Sequence, residues 1–228
     1  TVPGYDFITL DWMANDNEPG RDSNPADPGD WIVANECGGI HPPDSSSWHG
    51  THVAGTIGAA SNNSVGVAGV DWLAKILPVR VLGKCGGLNS DIIDGARWAA
   101  GLPVPGVPPN ANPADVLNLS LGGDGACSIT AQNAYNEIVA AGVTVVVAAG
   151  NENADAAGSS PGNCDNVITV AANDRAGDRA SYSNYGSVVE ITAPGGDTSP
   201  TAANGVLSTV DGGATSPLYD NNYAYYQG

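Results

Sequence analysis

Val143-Thr144-Val145-Val146-Val147-Ala148-Ala149-Gly150-Asn151-Glu152 is the stretch from which the fold can be read. Its first seven residues include one polar side chain, Thr144, so the run lacks the alternation of a strand with one wet face. It suits a strand buried on both sides, as in a parallel sheet covered by helices. Three further runs, 76–82, 116–119 and 167–171, have the same character. Between them, 91–98 and 129–141 read as helices, the second with apolar residues at helical spacing. Strand and helix alternate. That predicts an α/β fold of three layers, a mainly parallel sheet with helices on both faces, and a site at the carboxyl ends of the strands.

Outside this frame, residues 1–47 are rich in turn chemistry, from Asp11 through Asn15-Asp16-Asn17 to Pro42-Pro43, and read as a long loop region. The tail from Gly195 to Gly228 returns to Gly, Ser, Asn and Tyr, and there is no internal repeat. A chain of 228 residues fits one domain, and 31 glycines and 16 prolines with a substantial apolar fraction indicate tight loops between buried strands. Seven Lys and Arg against 24 Asp and Glu give a formal charge of -17, which disfavours nucleic acid or an anionic membrane surface as partner. No apolar run reaches the roughly 18 residues of a membrane span, and Thr1-Val2-Pro3-Gly4 is unlike a signal peptide. The chain reads as soluble and already processed. Four cysteines in loop-like sequence, an even number without a CxxC pair, suit an oxidising compartment.

Trp48-His49-Gly50-Thr51-His52-Val53-Ala54-Gly55-Thr56-Ile57 places a histidine at the start of a helix whose next residues are small or apolar. A ring there can face a cleft while the helix packs behind it. A metal pair of His49 and His52 is the weaker reading, since no HExxH glutamate and no third ligand accompany them. The segment 49–55 resembles, without a mismatch, the histidine signature of the subtilase family. The resemblance implies a subtilisin-like fold and a serine endopeptidase in which His49 is the general base and His52 a packing residue.

Further segments resemble that family in the expected order. The stretch 118–123, Asn-Leu-Ser-Leu-Gly-Gly, is similar to the strand end that lines the primary specificity pocket, and 145–152 to the strand that ends in the oxyanion-hole amide, here Asn151. Ser120, Leu121, Gly122, Ala148, Ala149 and Gly150 are the implied walls. Their small side chains predict a broad preference for a large apolar residue before the cut. The stretch 79–87 resembles the loop along which substrate backbone lies, with Gly86 and Gly87 permitting close approach. The likeness is strongest to disulfide-containing extracellular subtilases of Gram-negative bacteria, and it implies secretion, a propeptide in the precursor, polypeptide substrates and a monomer.

The pattern also breaks. No aspartate before His49 matches the family's catalytic aspartate, and Gly228 resembles the first residue of the serine signature, so the segments bearing Asp and Ser are expected to lie outside residues 1–228. A segment without them is expected to be nearly inert, and a peptide-binding pseudoprotease is the alternative function. A dinucleotide-binding reading of 143–151 fails for want of GxGxxG.

Two structural expectations accompany the resemblance. Cys37 precedes the His49 helix and Cys85 follows a strand near the same rim, while Cys127 and Cys164 lie beyond neighbouring strands, which pairs 37 with 85 and 127 with 164. Subtilases commonly bind structural calcium, and the acidic loop 16–30 offers Asp16, Asp22, Asp27 and Asp30 as a ligand pool. No catalytic cofactor is implied.

Overall fold

A computed structural model of the chain describes residues 1–39 and 41–228. They form two compact units, one of residues 1–113 with 208–224 and one of 114–207 with 225–228.

In the first unit, β1 (Tyr5–Asp6) pairs in parallel with β2 (Val79–Arg80), and the short helix α1 (Asp11–Ala14) follows β1. Helix α2 (His49–Gly58) begins at the expected histidine, and α3 (Asn89–Ala99) packs beside β2. Gly95 sets that approach: a β-carbon on it would meet Val81 Cγ1 at 2.6 Å. The core gathers Tyr5, Phe7 and Trp98, with ring centroids 5.2 to 5.8 Å apart. Residues 1–47 are therefore more structured than their turn chemistry suggests. Val2 N–H donates to Ile76 O at 2.8 Å and Phe7 N–H to Arg80 O at 2.8 Å, so the segment is held by a strand far along the chain.

Buried Asp6 accepts from the Arg80 guanidinium, which also donates to Ala14 O and, at 3.2 Å, to Asp16. Arg21 spans Asp91 and Asp94 at 2.7 Å each, tying the acidic loop to α3.

In the second unit, β3 (Val116–Leu119), β5 (Thr144–Ala148), β7 (Ile168–Asn173) and β8 (Ile191–Pro194) form one parallel sheet in that order, with Leu119 opposite Val147 and Val147 opposite Thr169. Helix α4 (Ile129–Ala140) packs on β5. It buries Ala131, Ala134, Tyr135 and Ile138, the i, i+3, i+4, i+7 stripe of an amphipathic helix. Ser128 caps it by accepting from Ala131 N–H at 3.1 Å, and Gly142 ends it at φ +91°. The short strands β4 (Gly123–Asp124) and β6 (Ser159–Ser160) pair antiparallel. Strands β9 (Val206–Val210) and β10 (Asn222–Tyr226) pair with each other, and the unit boundary falls within each. The parallel α/β order matches the sequence reading. Strands β8 to β10, short or set in a polar tail, go beyond it.

Disulfides join Cys37 to Cys85 and Cys127 to Cys164, and no cysteine is free among the described residues.

Candidate active site

His49 is the first residue of α2 and is exposed. Its pKa lies below the usual value of 6.5: the density of chain around the ring is the largest cause, the neighbouring His52 adds to it, and the Asp30 carboxylate works against both. The ring is thus reachable by solvent yet favours its neutral form. His52, three residues on, is 6% exposed and its Nε2 lies 3.1 Å from Ala224 O, the place of a packing residue. Gly55 lets the helix sit against β9, where a β-carbon would run into the Thr209 and Ser208 hydroxyls. The Ser208 hydroxyl donates to His52 O at 2.7 Å and the Thr209 hydroxyl to Thr51 O at 3.0 Å.

Gly86 and Gly87 lie on a tight turn in which Gly83 N–H donates to Gly86 O at 2.9 Å. Gly86 takes φ +101°, and a β-carbon on Gly87 would meet Val81 O, so both glycines are required by the turn itself.

In the second unit the two implied pocket walls leave the sheet at the same end. Residues 120–122 follow β3, and Ala148 ends β5, its paired neighbour, with 149–151 just beyond. Ser120 and Leu121 are half-buried, and Ala148 likewise. Ala149 differs from the expectation: its side chain is 1% exposed and packs with Ala156 and Ala171, so it is a core residue that offers only backbone to a wall.

Asn151 stands exposed just beyond β5, on a turn built by two residues that the sequence reading did not single out. Asn184, fully buried, accepts from Glu152 N–H at 3.0 Å and Ala154 N–H at 2.9 Å. Its amide donates to Ala149 O at 3.0 Å, to the Glu152 carboxylate at 2.7 Å and to Ser159 Oγ at 3.2 Å. The same Glu152 oxygen accepts from Asn151 N–H at 2.9 Å. Gly150, at φ +107°, leaves the space that this network fills. Nothing in Ser183-Asn184-Tyr185-Gly186 beyond a turn composition marks that role.

The acidic loop does not form the ligand cluster expected of it. Asp16 serves Arg80; Asp22 and Asp27 each accept from a backbone N–H two residues on, at 2.5 and 2.8 Å; Asp30 accepts from Ser47 N–H and Oγ at 2.6 and 2.7 Å. Burial pushes the Asp27 carboxyl up, opposed by the Gly29 N–H. Among the described residues no three His, Cys, Asp or Glu side chains are grouped to hold a metal ion. The four aspartates as placed do not fit calcium.

Comparison with known proteins agrees with the strand order and the histidine signature. A model described as the Subtilase family matches residues 21–228. An extracellular protease of Xanthomonas campestris pv. campestris is 56% identical over 227 residues, all of this chain and 37% of that protein. An extracellular basic protease of Dichelobacter nodosus is 50% identical over 221 residues, covering 95% of this chain and 35% of its own length. The chain thus spans little more than a third of these relatives. A solved structure of a protease from Pseudoalteromonas arctica PAMC 21717 superposes with a TM-score of 0.96 at 55% identity, over all of this chain and 66% of that one. By this match across nearly its whole length, the chain belongs to the subtilase family.

Proposed function

We propose that residues 1–228 are most of the catalytic domain of a secreted serine endopeptidase, supplying the general base and the oxyanion donor of an acyl transfer. The observation that carries the reading is the place of the Asn151 amide. Its Nδ2 stands 3.7 Å from where a β-carbon on Gly228 would lie, beside the residue at which the likeness to the family's serine signature begins. A carbonyl attacked there would develop its negative charge within reach of Asn151, a preorganised donor held by Asn184 and Glu152. His49, neutral near pH 7 because its pKa is lowered, can take the serine proton and return it to the leaving amine.

The remaining roles follow the same reading. Ser120, Leu121, Gly122, Ala148, Gly150 and the backbone of Ala149 line a pocket for a large apolar side chain, and Gly86 and Gly87 border the substrate backbone before it. Extracellular relatives and two disulfides favour secretion; a propeptide and a monomeric mature enzyme complete the picture. Structural calcium belongs to the reading through family likeness alone and is assigned no ligands here; a melting temperature raised by millimolar calcium after chelation would support it.

The test uses the enzyme expressed from the complete gene. Phenylmethylsulfonyl fluoride should abolish its activity and phenanthroline should not, and the reverse pattern would sink the assignment. His49→Ala should lower kcat on the order of a millionfold with KM little changed. A peptide library cleaved only after Lys or Arg would refute the apolar pocket.

A further inference from the structure

We propose that the turn 211–220, organised by Asp211, positions the His49 ring by holding Trp48; this rests on His49 being the general base. Trp48 directly precedes His49 and adopts φ 49°, ψ 28°. A bulky residue occupies that left-handed region only where its surroundings hold it. Trp48, the N-cap residue of α2, supplies no capping side chain of its own, and Ser47 Oγ accepts from His49 N–H at a long 3.3 Å.

The turn supplies what is missing. Trp48 Nε1 donates to Gly213 O at 2.7 Å, Ser46 N–H to Ala214 O at 2.8 Å and Ser46 Oγ to Thr215 O at 2.5 Å. Three consecutive carbonyls therefore hold the residues on either side of Ser47, and Trp48 and Ser46 are 4% and 8% exposed. From another side Asp30 grips Ser47 itself. Gly29 completes the fit, since at φ +100° it lies where a β-carbon would run into Thr215 O.

The turn has no regular secondary structure of its own, so its shape must come from side chains. Asp211 provides it. Oδ1 accepts from Gly213 N–H at 2.7 Å and Leu218 N–H at 2.8 Å, and Oδ2 accepts from Tyr219 N–H at 2.7 Å. Asp220 adds Gly212 N–H at 2.7 Å. The chain of contacts runs from the Asp211 carboxylate through the Gly213 carbonyl to the Trp48 indole, and so to the backbone that aims His49. Asp211 and Trp48 are positioning residues: neither is placed against substrate.

The test is steady-state kinetics on the enzyme expressed from the complete gene. Trp48→Phe keeps an aromatic ring but removes the N–H donated to Gly213 together with part of the buried indole; Asp211→Asn keeps the shape and removes an acceptor for Tyr219. Each should lower kcat by about tenfold to a hundredfold with KM within about twofold, the signature of a misplaced group. The double variant should be little worse than the weaker single, since both cut one chain of contacts. His49→Ala is measured beside them. If it leaves kcat intact, the base assignment fails. If it abolishes turnover while Trp48→Phe and Asp211→Asn leave kcat within about twofold, or their effects simply multiply, the positioning role alone is overturned. Should Asp211→Asn fail to fold, Trp48→Phe decides by the same criterion.

Discussion

Asn151 rides on regular structure. It follows the second strand of a four-stranded parallel sheet whose register is fixed on both sides, and one buried amide, Asn184, closes the turn that carries it. His49 begins a ten-residue helix whose first residue is set by a left-handed tryptophan and by contacts such as that between Trp48 and Gly213, 165 residues apart. A group carried by a sheet inherits its position from the same hydrogen bonds that hold the fold. A group carried by a loop clamp can be misplaced without unfolding anything. The first should fail through stability, the second through kcat.

Asn184→Leu offers the sharpest way to break that contrast. It leaves two backbone N–H groups and the Ala149 carbonyl without the partner Asn184 gave them and takes one of two donors from the Glu152 carboxylate, and each group left unsatisfied costs about 1 to 3 kcal/mol when buried. We expect a loss of about 3 kcal/mol or more in urea unfolding, against about 2 kcal/mol for Trp48→Phe, which gives up one hydrogen bond and part of a buried ring. Equal losses would mean that the two regions are held alike.

The disulfides come next, and here the contrast should vanish. Chain entropy depends on the loop closed, and the separations of 48 for Cys37–Cys85 and 37 for Cys127–Cys164 are close. Paired Cys→Ser replacement should cost about 4 kcal/mol at either bridge, as an upper figure. A loss at one bridge several times that at the other would show that the native packing around it, rather than the unfolded chain, decides its worth.

The same division governs how much could be read from the sequence. Strands 116–119 and 167–171, helix 129–141 and the histidine at the start of α2 were legible because their signals are local: an apolar run, a 3.6-residue period, a short motif. Strand β8 was not, being four exposed residues ending in Pro194, nor were β9 and β10 in a polar tail. The acidic loop looked like an ion site because carboxylates crowd it in sequence. Its aspartates are used one by one, Asp22 and Asp27 by N–H groups two residues on, and Asp16 by Arg80, 64 residues away. Asn184 and Trp48 owe their roles to partners that no local pattern identifies.

The smallest expected effect concerns pH. The His49 pKa is lowered chiefly by the density of chain around it, then by the His52 ring, and is raised by Asp30. A base with a lowered pKa keeps its competent neutral form into more acidic solution, so these surroundings push the acid limb of kcat/KM toward lower pH than the ring would show without them. Asp30→Asn removes the one carboxylate among the described residues that favours the charged ring, and the limb should move to still lower pH. The amide retains an oxygen for Ser47, which limits the change in geometry. Because the Asp30 contribution acts through space at the surface, the displacement between the two enzymes should shrink as salt is added, while the lowering due to packing persists. Asn151 carries no proton to lose, so conservative variants around it should scale the whole profile without shifting the limb. A limb that moves upward in Asp30→Asn would show that this aspartate acts on His49 by holding Ser47 rather than by its charge. A limb that moves with Glu152→Gln would show that the two regions titrate as one, and the contrast between them would be lost.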